Sequence, residues 1–182
     1  MKSLIQIAVA VICLFSCQPG NTPASAPSTA TTWQTRLDSV LPLLGHRNWI
    51  IIADKAFPFQ SAPGMVYINT NATLPEVADY TIRQLGKGTH VSPILYLDKE
   101  LSFVPGAAGY RDTLQQIFKG QSVQTLLHDS VFAKMDKTAG LFKVIVLKTN
   151  TTLAYSSVFI NLDCKYWSAD KEQAMREAMK TK

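Results

Sequence analysis

Cysteine and histidine are scarce in this sequence, which has three of each among 182 residues. Cys13 and Cys17 fall in the amino-terminal segment, so Cys164 has no second thiol in the rest of the chain with which to pair. The histidines do not show the spacing of zinc ligands. The sequence therefore argues against a disulfide-stapled domain and a structural zinc site. Cys164 is interpreted as a small packed apolar residue.

Signatures of nucleotide, acyl-transfer and nucleic-acid chemistry are also missing. The chain contains neither a glycine-rich phosphate loop nor a G-x-S-x-G nucleophile elbow. Its formal net charge is +5, but the positive residues are scattered rather than clustered. This distribution argues against a nucleic-acid partner.

What is present at the amino end is the pattern of a secretory signal. One lysine precedes an apolar run, residues 4–15, that is too short to span a bilayer permanently. Residues 1–16 are therefore predicted to be a signal peptide. The run ends at Leu14-Phe15-Ser16-Cys17, which is similar to a bacterial lipobox whose cysteine is lipidated. A lipid on Cys17 predicts anchoring in the bacterial cell envelope, on the periplasmic or surface side; an ordinary signal peptide with an incidental cysteine is the alternative.

The segment after the signal differs in composition from the rest of the chain. Residues 18–32 are uncharged, rich in Pro, Ser, Thr, Ala and Asn, and lack a periodic apolar face. Together with Cys17 they are predicted to form a lipidated, flexible tether over 17–32. Residues 33–182, about 150 in number, suit one domain with a single core.

Strand-like and helix-like patterns alternate through the domain. Strands are predicted over 48–53, 65–68, 91–97, 123–127, 141–147 and 157–162, with helices over 33–44, 74–85, 110–118, 131–135 and 169–180. The alternation predicts an α/β fold, a three-layer α/β/α domain. The last two strands are joined by a short turn, which predicts that they pair antiparallel and that the sheet is mixed but mostly parallel.

Three local patterns carry narrower predictions. Thr73-Leu-Pro-Glu76 has the form of a capping box at the start of a helix that Gly86 closes. Pro93 lacks a ladder donor, so its strand is predicted to be an edge or to begin irregularly. Pro42 predicts a kink or an early end for the first helix.

The stretch from Gly45 to Pro58 carries the strongest functional signal. The residues from Trp49 to Ile52 are all apolar, as is typical of a strand covered on both faces. Asp54 follows this strand at its carboxyl end, where α/β sheets bind ligands, whereas His46 lies at the opposite end. Taken singly, Asp54 is as well explained as a turn residue or N-cap, and His46 as a C-cap.

The same stretch resembles the signature of the ribose pyranase and fucose mutarotase family (RbsD/FucU). That signature has a leading Gly-His, an apolar strand, an Asp and a small-aromatic-Pro turn, as in G-H-R-N-W-I-I-I-A-D-K-A-F-P here. Further matches follow in order through residues 33–163: a Tyr-Arg pair opening a helix, a basic residue with a neighbouring aromatic, and a Tyr-x-Asn-like turn. The matching positions are Tyr110-Arg111, His128 with Phe132, and Ala154-Tyr155-Ser156-Ser157.

The resemblance implies an RbsD-like fold and a cofactor-free mutarotase or pyranase acting on a monosaccharide. It implies that His46 is the catalytic acid/base. The implied sugar-binding residues are Asp54, His128, Tyr155 and Ser157. Members of the family form rings, typically decameric, that share sites between subunits. A ring-shaped homo-oligomer of this chain would bring His46 of one copy to Asp54 of the next.

The chain also departs from the family pattern. Lys55 stands where a small residue is usual and puts a positive charge in or beside the pocket. Arg111 is a further candidate pocket residue. Ser157 replaces an asparagine, and the lipoprotein address is foreign to the familiar cytoplasmic members. Two alternatives to the mutarotase therefore stay open: a non-catalytic sugar-binding lipoprotein, and an assembly protein with a vestigial site.

Three further polar residues are given structural interpretations. Asp98 and Glu100 follow a strand, where they could touch a ligand, and are interpreted as a solvated loop. His90 matches no family position and is interpreted as a surface or capping histidine.

Overall fold

The structure, a computed structural model, describes residues 31–180 of the chain. The predicted signal peptide, Cys17 and nearly all of the predicted tether lie outside the described residues. None of the described helices is long and apolar enough to cross a membrane.

Helices and strands alternate as the pattern predicted. The strands are β1 (Trp49–Ala53), β2 (Met65–Asn69), β3 (Val91–Asp98), β4 (Val123–Leu126), β5 (Val144–Lys148) and β6 (Val158–Cys164). The α-helices are α1 (Trp33–Val40), α2 (Leu74–Lys87), α3 (Ala108–Ile117), α4 (His128–Ala139) and α5 (Ala169–Lys180). Two short 3-10 helices cover Leu41–Leu43 and Lys99–Phe103.

The six strands form one sheet in the order β2-β5-β1-β6-β3-β4. Strand β6 is antiparallel to both of its neighbours, and every other pair is parallel. The sheet is therefore mixed and mostly parallel, which confirms the predicted class. The predicted β5–β6 pair is wrong, because β1 lies between the two: Ile51 pairs with Val146 on one side and Phe159 on the other.

Strand β1 lies inside the sheet and contributes side chains to the apolar core on each face. All five of its residues are buried. Ile50 and Ile52 pack in the layer that contains α1, α2 and α3. Trp49 and Ile51 pack on the other face, in the layer with α4. Successive side chains of a strand point to opposite faces, so an uninterrupted apolar run indicates a strand covered on both sides, as predicted.

Several element ends follow tertiary contacts rather than local sequence. The capping box is wrong: the Thr73 side chain caps nothing, and the Leu74 amide donates to Thr151 Oγ1 at 2.9 Å. Helix α2 continues through Gly86 to Lys87. Strand β5 begins only at Val144, because the residues just before it fold back onto the end of α4.

Other local predictions are confirmed. Helix α1 ends at Val40, and Pro42 lies in the 3-10 turn that follows. Pro93 pairs only with β6, because the pairing of β3 with β4 starts at Leu95. Helix α5 has no buried residue.

Candidate active site at the carboxyl edge of the sheet

The sheet collects four polar or aromatic side chains at one edge. Asp54 follows β1 and Asp98 ends β3, while Tyr155 precedes β6, which runs antiparallel between those strands. His128 is the first residue of α4, which comes after the neighbouring strand β4. The carboxyl edge of an α/β sheet is where such folds bind ligands.

A cleft of about 330 Å³ opens at this edge. Its wall is mostly apolar, with polar groups from three side chains, and is formed by Asp54, Ala56, Phe57, Pro58, His128, Phe132, Ala154 and Tyr155. Small-molecule sites range from about 300 to 1,000 Å³, so the cleft suits a small ligand.

Asp54 is fixed by bonds from its own loop and from the start of β6. One carboxylate oxygen accepts from the Ala56 amide at 2.8 Å, and the other accepts from Ser157 Oγ at 2.9 Å. Ser157 Oγ also accepts from the Asp54 amide at 3.0 Å. Because Ser157 is only 1 % exposed, it lies behind Asp54 rather than on the cleft surface. A direct sugar contact by Ser157 stays a prediction.

His128 is held from two sides. Its Nδ1 lies 2.8 Å from Asp98 Oδ2, and its backbone amide donates to both carboxylate oxygens of Glu100 at 3.2 Å. The ring packs against Phe132, with centroids 4.6 Å apart, and edge-on to Tyr155 at 5.3 Å. The side chain is 36 % exposed, and Nε2 has no hydrogen bond to the described residues.

Asp98 is a buried carboxylate, only 1 % exposed, so its interpretation as part of a solvated loop was wrong. Burial raises the pKa of Asp98 to about 6, and the neighbouring carboxylates of Glu100 and Asp54 add to the rise; the hydrogen bond and charge of His128 oppose it. Oδ1 has no hydrogen-bond partner within the described residues. Glu100 is also not a free loop residue, since its carboxylate accepts the His128 amide and caps the amino end of α4. The rule that singled out Asp54, a carboxylate at a strand's carboxyl end, applies equally to Asp98.

Tyr155 sits in a strained turn that is anchored from α3. Its φ is 57°, in the left-handed region, where a non-glycine residue costs about 1–2 kcal/mol. The Tyr110 hydroxyl donates to the Ser156 carbonyl at 2.7 Å, and Ser156 Oγ donates to the Leu153 carbonyl at 2.7 Å. Burial raises the pKa of the Tyr110 hydroxyl, which keeps it protonated as a donor. These bonds hold the Tyr155 ring, which is 40 % exposed, against the cleft.

Lys148, at the end of β5, ties down the loop beyond Asp54 and was not identified from the sequence. Its Nζ donates to the carbonyls of Phe57 at 2.6 Å and Lys55 at 3.0 Å. Burial lowers the pKa of Lys148, and the charge of Asp54 opposes that effect. Nothing in the strand pattern of β5 distinguishes this lysine from a solvated one.

The remaining predicted pocket residues lie away from the cleft. Lys55 reaches Asn150 Oδ1 at 3.3 Å and lines a smaller cavity beside Asp54. Arg111 lines a separate cavity against α3, with Leu114 and Phe118.

His46 lies at the opposite end of β1 from Asp54. It is exposed, in a turn that the Gly45 amide closes by donating to Asn48 Oδ1 at 2.7 Å. The five residues of β1 span about 16 Å, so His46 does not reach the cleft within one chain. His90 lies elsewhere, 2.9 Å through Nε2 from the Leu44 carbonyl, which confirms the capping interpretation.

The described residues contain no cluster of three or more His, Cys, Asp or Glu side chains that could hold a metal ion. The titratable groups that line or support the cleft are the His128 imidazole, the Tyr155 phenol and three carboxylates, Asp54, Asp98 and Glu100. Such a set can accept hydrogen bonds from hydroxyl groups and exchange protons with them.

Comparison with known proteins identifies the architecture. No family model and no curated protein matches the sequence. Among solved structures, RbsD from Bacillus subtilis, complexed with D-ribose, matches with a TM-score of 0.54 and 17 % identity, over 70 % of this chain and 90 % of that one. The fold is RbsD/FucU-type.

Two further structures agree with this assignment. The fucose mutarotase from Streptococcus pneumoniae, in complex with L-fucose, matches with a TM-score of 0.51 and 18 % identity, over 69 % of this chain and 89 % of that one. FucU from Bifidobacterium longum matches with a TM-score of 0.51 and 16 % identity, over 69 % and 91 % of the two chains. At these identities the likeness establishes the fold alone.

Proposed function

We propose that the cleft binds a free monosaccharide and interconverts its cyclic forms. The observation that carries this proposal is the meeting of the Asp54 carboxylate, the free ring nitrogen of His128 and the exposed face of Tyr155 in one small cleft. The two RbsD/FucU-type structures solved with D-ribose and L-fucose support a sugar as the ligand.

Asp54 has the remaining capacity to bind sugar hydroxyls. Each oxygen of an ionised carboxylate can accept about two hydrogen bonds. Ala56 and Ser157 use one on each oxygen, which leaves one acceptor position on each for a ligand. The rings of Phe132 and Tyr155 offer apolar surface for the carbon face of the sugar.

Ring opening needs two proton movements. A base removes the proton from the anomeric hydroxyl, the bond between C1 and the ring oxygen breaks, and the ring oxygen takes up a proton. His128 is the base that one chain supplies. His46 of a neighbouring copy, which the family resemblance implies is the catalytic acid/base, supplies the proton to the ring oxygen. General acid–base help of about 10²–10⁴-fold suffices for a reaction that already proceeds unaided.

The test is anomer-exchange NMR with purified protein and a panel of pentoses and hexoses. We expect faster exchange than in buffer for at least one sugar. Asp54→Asn should weaken that sugar's binding by about tenfold or more, because it removes a charged acceptor. Asp136→Asn is the matched control, since Asp136 is an exposed carboxylate on α4 that does not line the cleft. Neither exchange nor saturable binding with any sugar would refute the proposal.

A non-catalytic sugar-binding protein is the second candidate. It is favoured by Ser157, which stands where the family has asparagine and bonds Asp54 rather than facing the cleft. Saturable binding measured by calorimetry, without faster anomer exchange, would select this candidate. An assembly protein with a vestigial site would instead show an oligomer and no sugar binding.

We also propose that a lipid on Cys17 anchors the domain in the bacterial cell envelope. The lipobox-like run before Cys17 supports this. Cys17→Ser should abolish incorporation of labelled fatty acid and move the protein from the membrane to the soluble fraction. No label in the parent protein would contradict the anchor and leave the ordinary signal peptide.

A further inference from the structure

Asp98 is the one buried carboxylate at this edge, and neither the sequence pattern nor the proposed sugar contacts assign it a role. We infer that Asp98 is the positioning residue of His128: it selects the ring tautomer that leaves Nε2 as a free base toward the cleft. The catalytic consequence rests on the proposed function, whereas the tautomer itself does not.

The geometry fixes the direction of the hydrogen bond. Asp98 Oδ2 lies 2.8 Å from His128 Nδ1, and an ionised carboxylate can only accept. Nδ1 therefore carries the proton, and Nε2 keeps its lone pair. With its pKa near 6, Asp98 is ionised at neutral pH.

The backbone on both sides holds this pair rigidly. Asp98 is the last residue of β3 and pairs with Leu126 of β4, two residues before His128. Glu100 fixes the His128 backbone amide from the turn after β3. The imidazole is thus oriented by two carboxylates, one on its ring and one on its main chain.

Asp98 lies where it can pair with the positive charge that the ring gains when it takes up a proton. Glu100 and Asp54 are the other carboxylates whose charges reach Asp98, and Arg111 lines the cavity on its α3 side. When Nε2 takes the proton of the anomeric hydroxyl, the positive charge develops 2.8 Å from Asp98. The C1–ring-oxygen bond breaks and the ring oxygen gains a proton from a second acid. On reclosure Nε2 returns its proton to the anomeric oxygen, and the ring hydroxyl gives its proton back to that second group.

The primary test is nitrogen NMR of ring-labelled histidine in the whole protein above neutral pH. The His128 signals are assigned by their loss in His128→Gln. We expect a protonated Nδ1 and an unprotonated Nε2 in the parent protein. Asp98→Asn should lose this preference, because an amide can donate to Nδ1 as well as accept from it. Glu100→Gln is the matched control and should keep the parent tautomer, since Glu100 bonds only the backbone of His128.

The kinetic test measures the turnover of anomer exchange and the sugar dissociation constant separately. Asp98→Asn should lower the turnover of anomer exchange by about 10–100-fold, with the sugar dissociation constant changed by less than about threefold, since Asp98 does not line the cleft.

A protonated Nε2 in the parent protein would overturn the inference, and so would an Asp98→Asn protein with the parent tautomer and turnover. The parent spectrum decides the point even if the variant does not fold. Absence of anomer exchange in the parent protein would refute the proposed function, while the spectra would still show whether Asp98 sets the tautomer.

Discussion

At the scale of single residues, the edge of the sheet is built from polar groups that hold one another in place. Asp54 is fixed by Ser157 and Ala56, and His128 by Asp98 and Glu100. Each polar group that faces the cleft thus has a supporting group behind it, and such support is what preorganises a site.

Burial of Asp98 makes a prediction about stability and pH. Its pKa is raised from 3.8 to about 6 in the folded protein, so the folded state binds the proton more tightly than the unfolded chain. The contribution of Asp98 to the free energy of unfolding is therefore greatest below about pH 4 and falls as pH rises through 6. Compared with Asp98→Asn, the parent protein should lose on the order of 2–3 kcal/mol between pH 4 and 7.

Urea unfolding of both proteins at several pH values measures this difference. The raised pKa of Asp98 would be contradicted if the difference in free energy of unfolding stayed constant with pH, or if it changed in favour of the parent protein as pH rises.

At the scale of elements, the turn before β6 depends on α3. The Tyr110 hydroxyl on α3 donates a hydrogen bond to the Ser156 carbonyl, beside the strained Tyr155. Tyr110→Phe should lower the free energy of unfolding by about 1 kcal/mol and weaken sugar binding several-fold, because the Tyr155 ring is then less firmly held. Tyr166→Phe, in an exposed tyrosine, is the control for chemical denaturation and binding. Equal effects of the two substitutions would show that the turn does not rely on Tyr110.

The elements also show what the sequence can and cannot predict. The apolar run of β1, the strand–helix alternation and the site for Asp54 follow from periodicity and from the carboxyl-end rule. The position of β6 does not, because a short turn predicts a hairpin, and only the packed sheet reveals β1 between β5 and β6. Asp98 and Lys148 were missed for a related reason: their roles depend on burial and on partners distant in sequence, which a local pattern does not contain.

At the scale of the whole molecule, the question is how His46 contributes. One chain holds it about a strand's length from Asp54, about 16 Å, so a role in the cleft requires a second copy. If copies share sites, His46→Ala and Asp54→Asn should each exchange anomers more slowly than the parent protein, yet mixing them under conditions that exchange subunits should restore part of the activity. Anomer-exchange NMR on the mixture, with the oligomer mass measured by light scattering, tests this. A monomer with full activity, or an unimpaired His46→Ala protein, would rule out a shared site.

The central claim, that the cleft opens a sugar ring with His128, is tested most directly by the anomer-exchange rate of His128→Gln. Asp136→Asn is the control, because Asp136 is exposed on the same helix as His128 and does not line the cleft. We predict that Asp136→Asn exchanges anomers like the parent protein, while His128→Gln is slower by about tenfold or more. A His128→Gln protein that exchanges anomers as fast as the parent would contradict the claim.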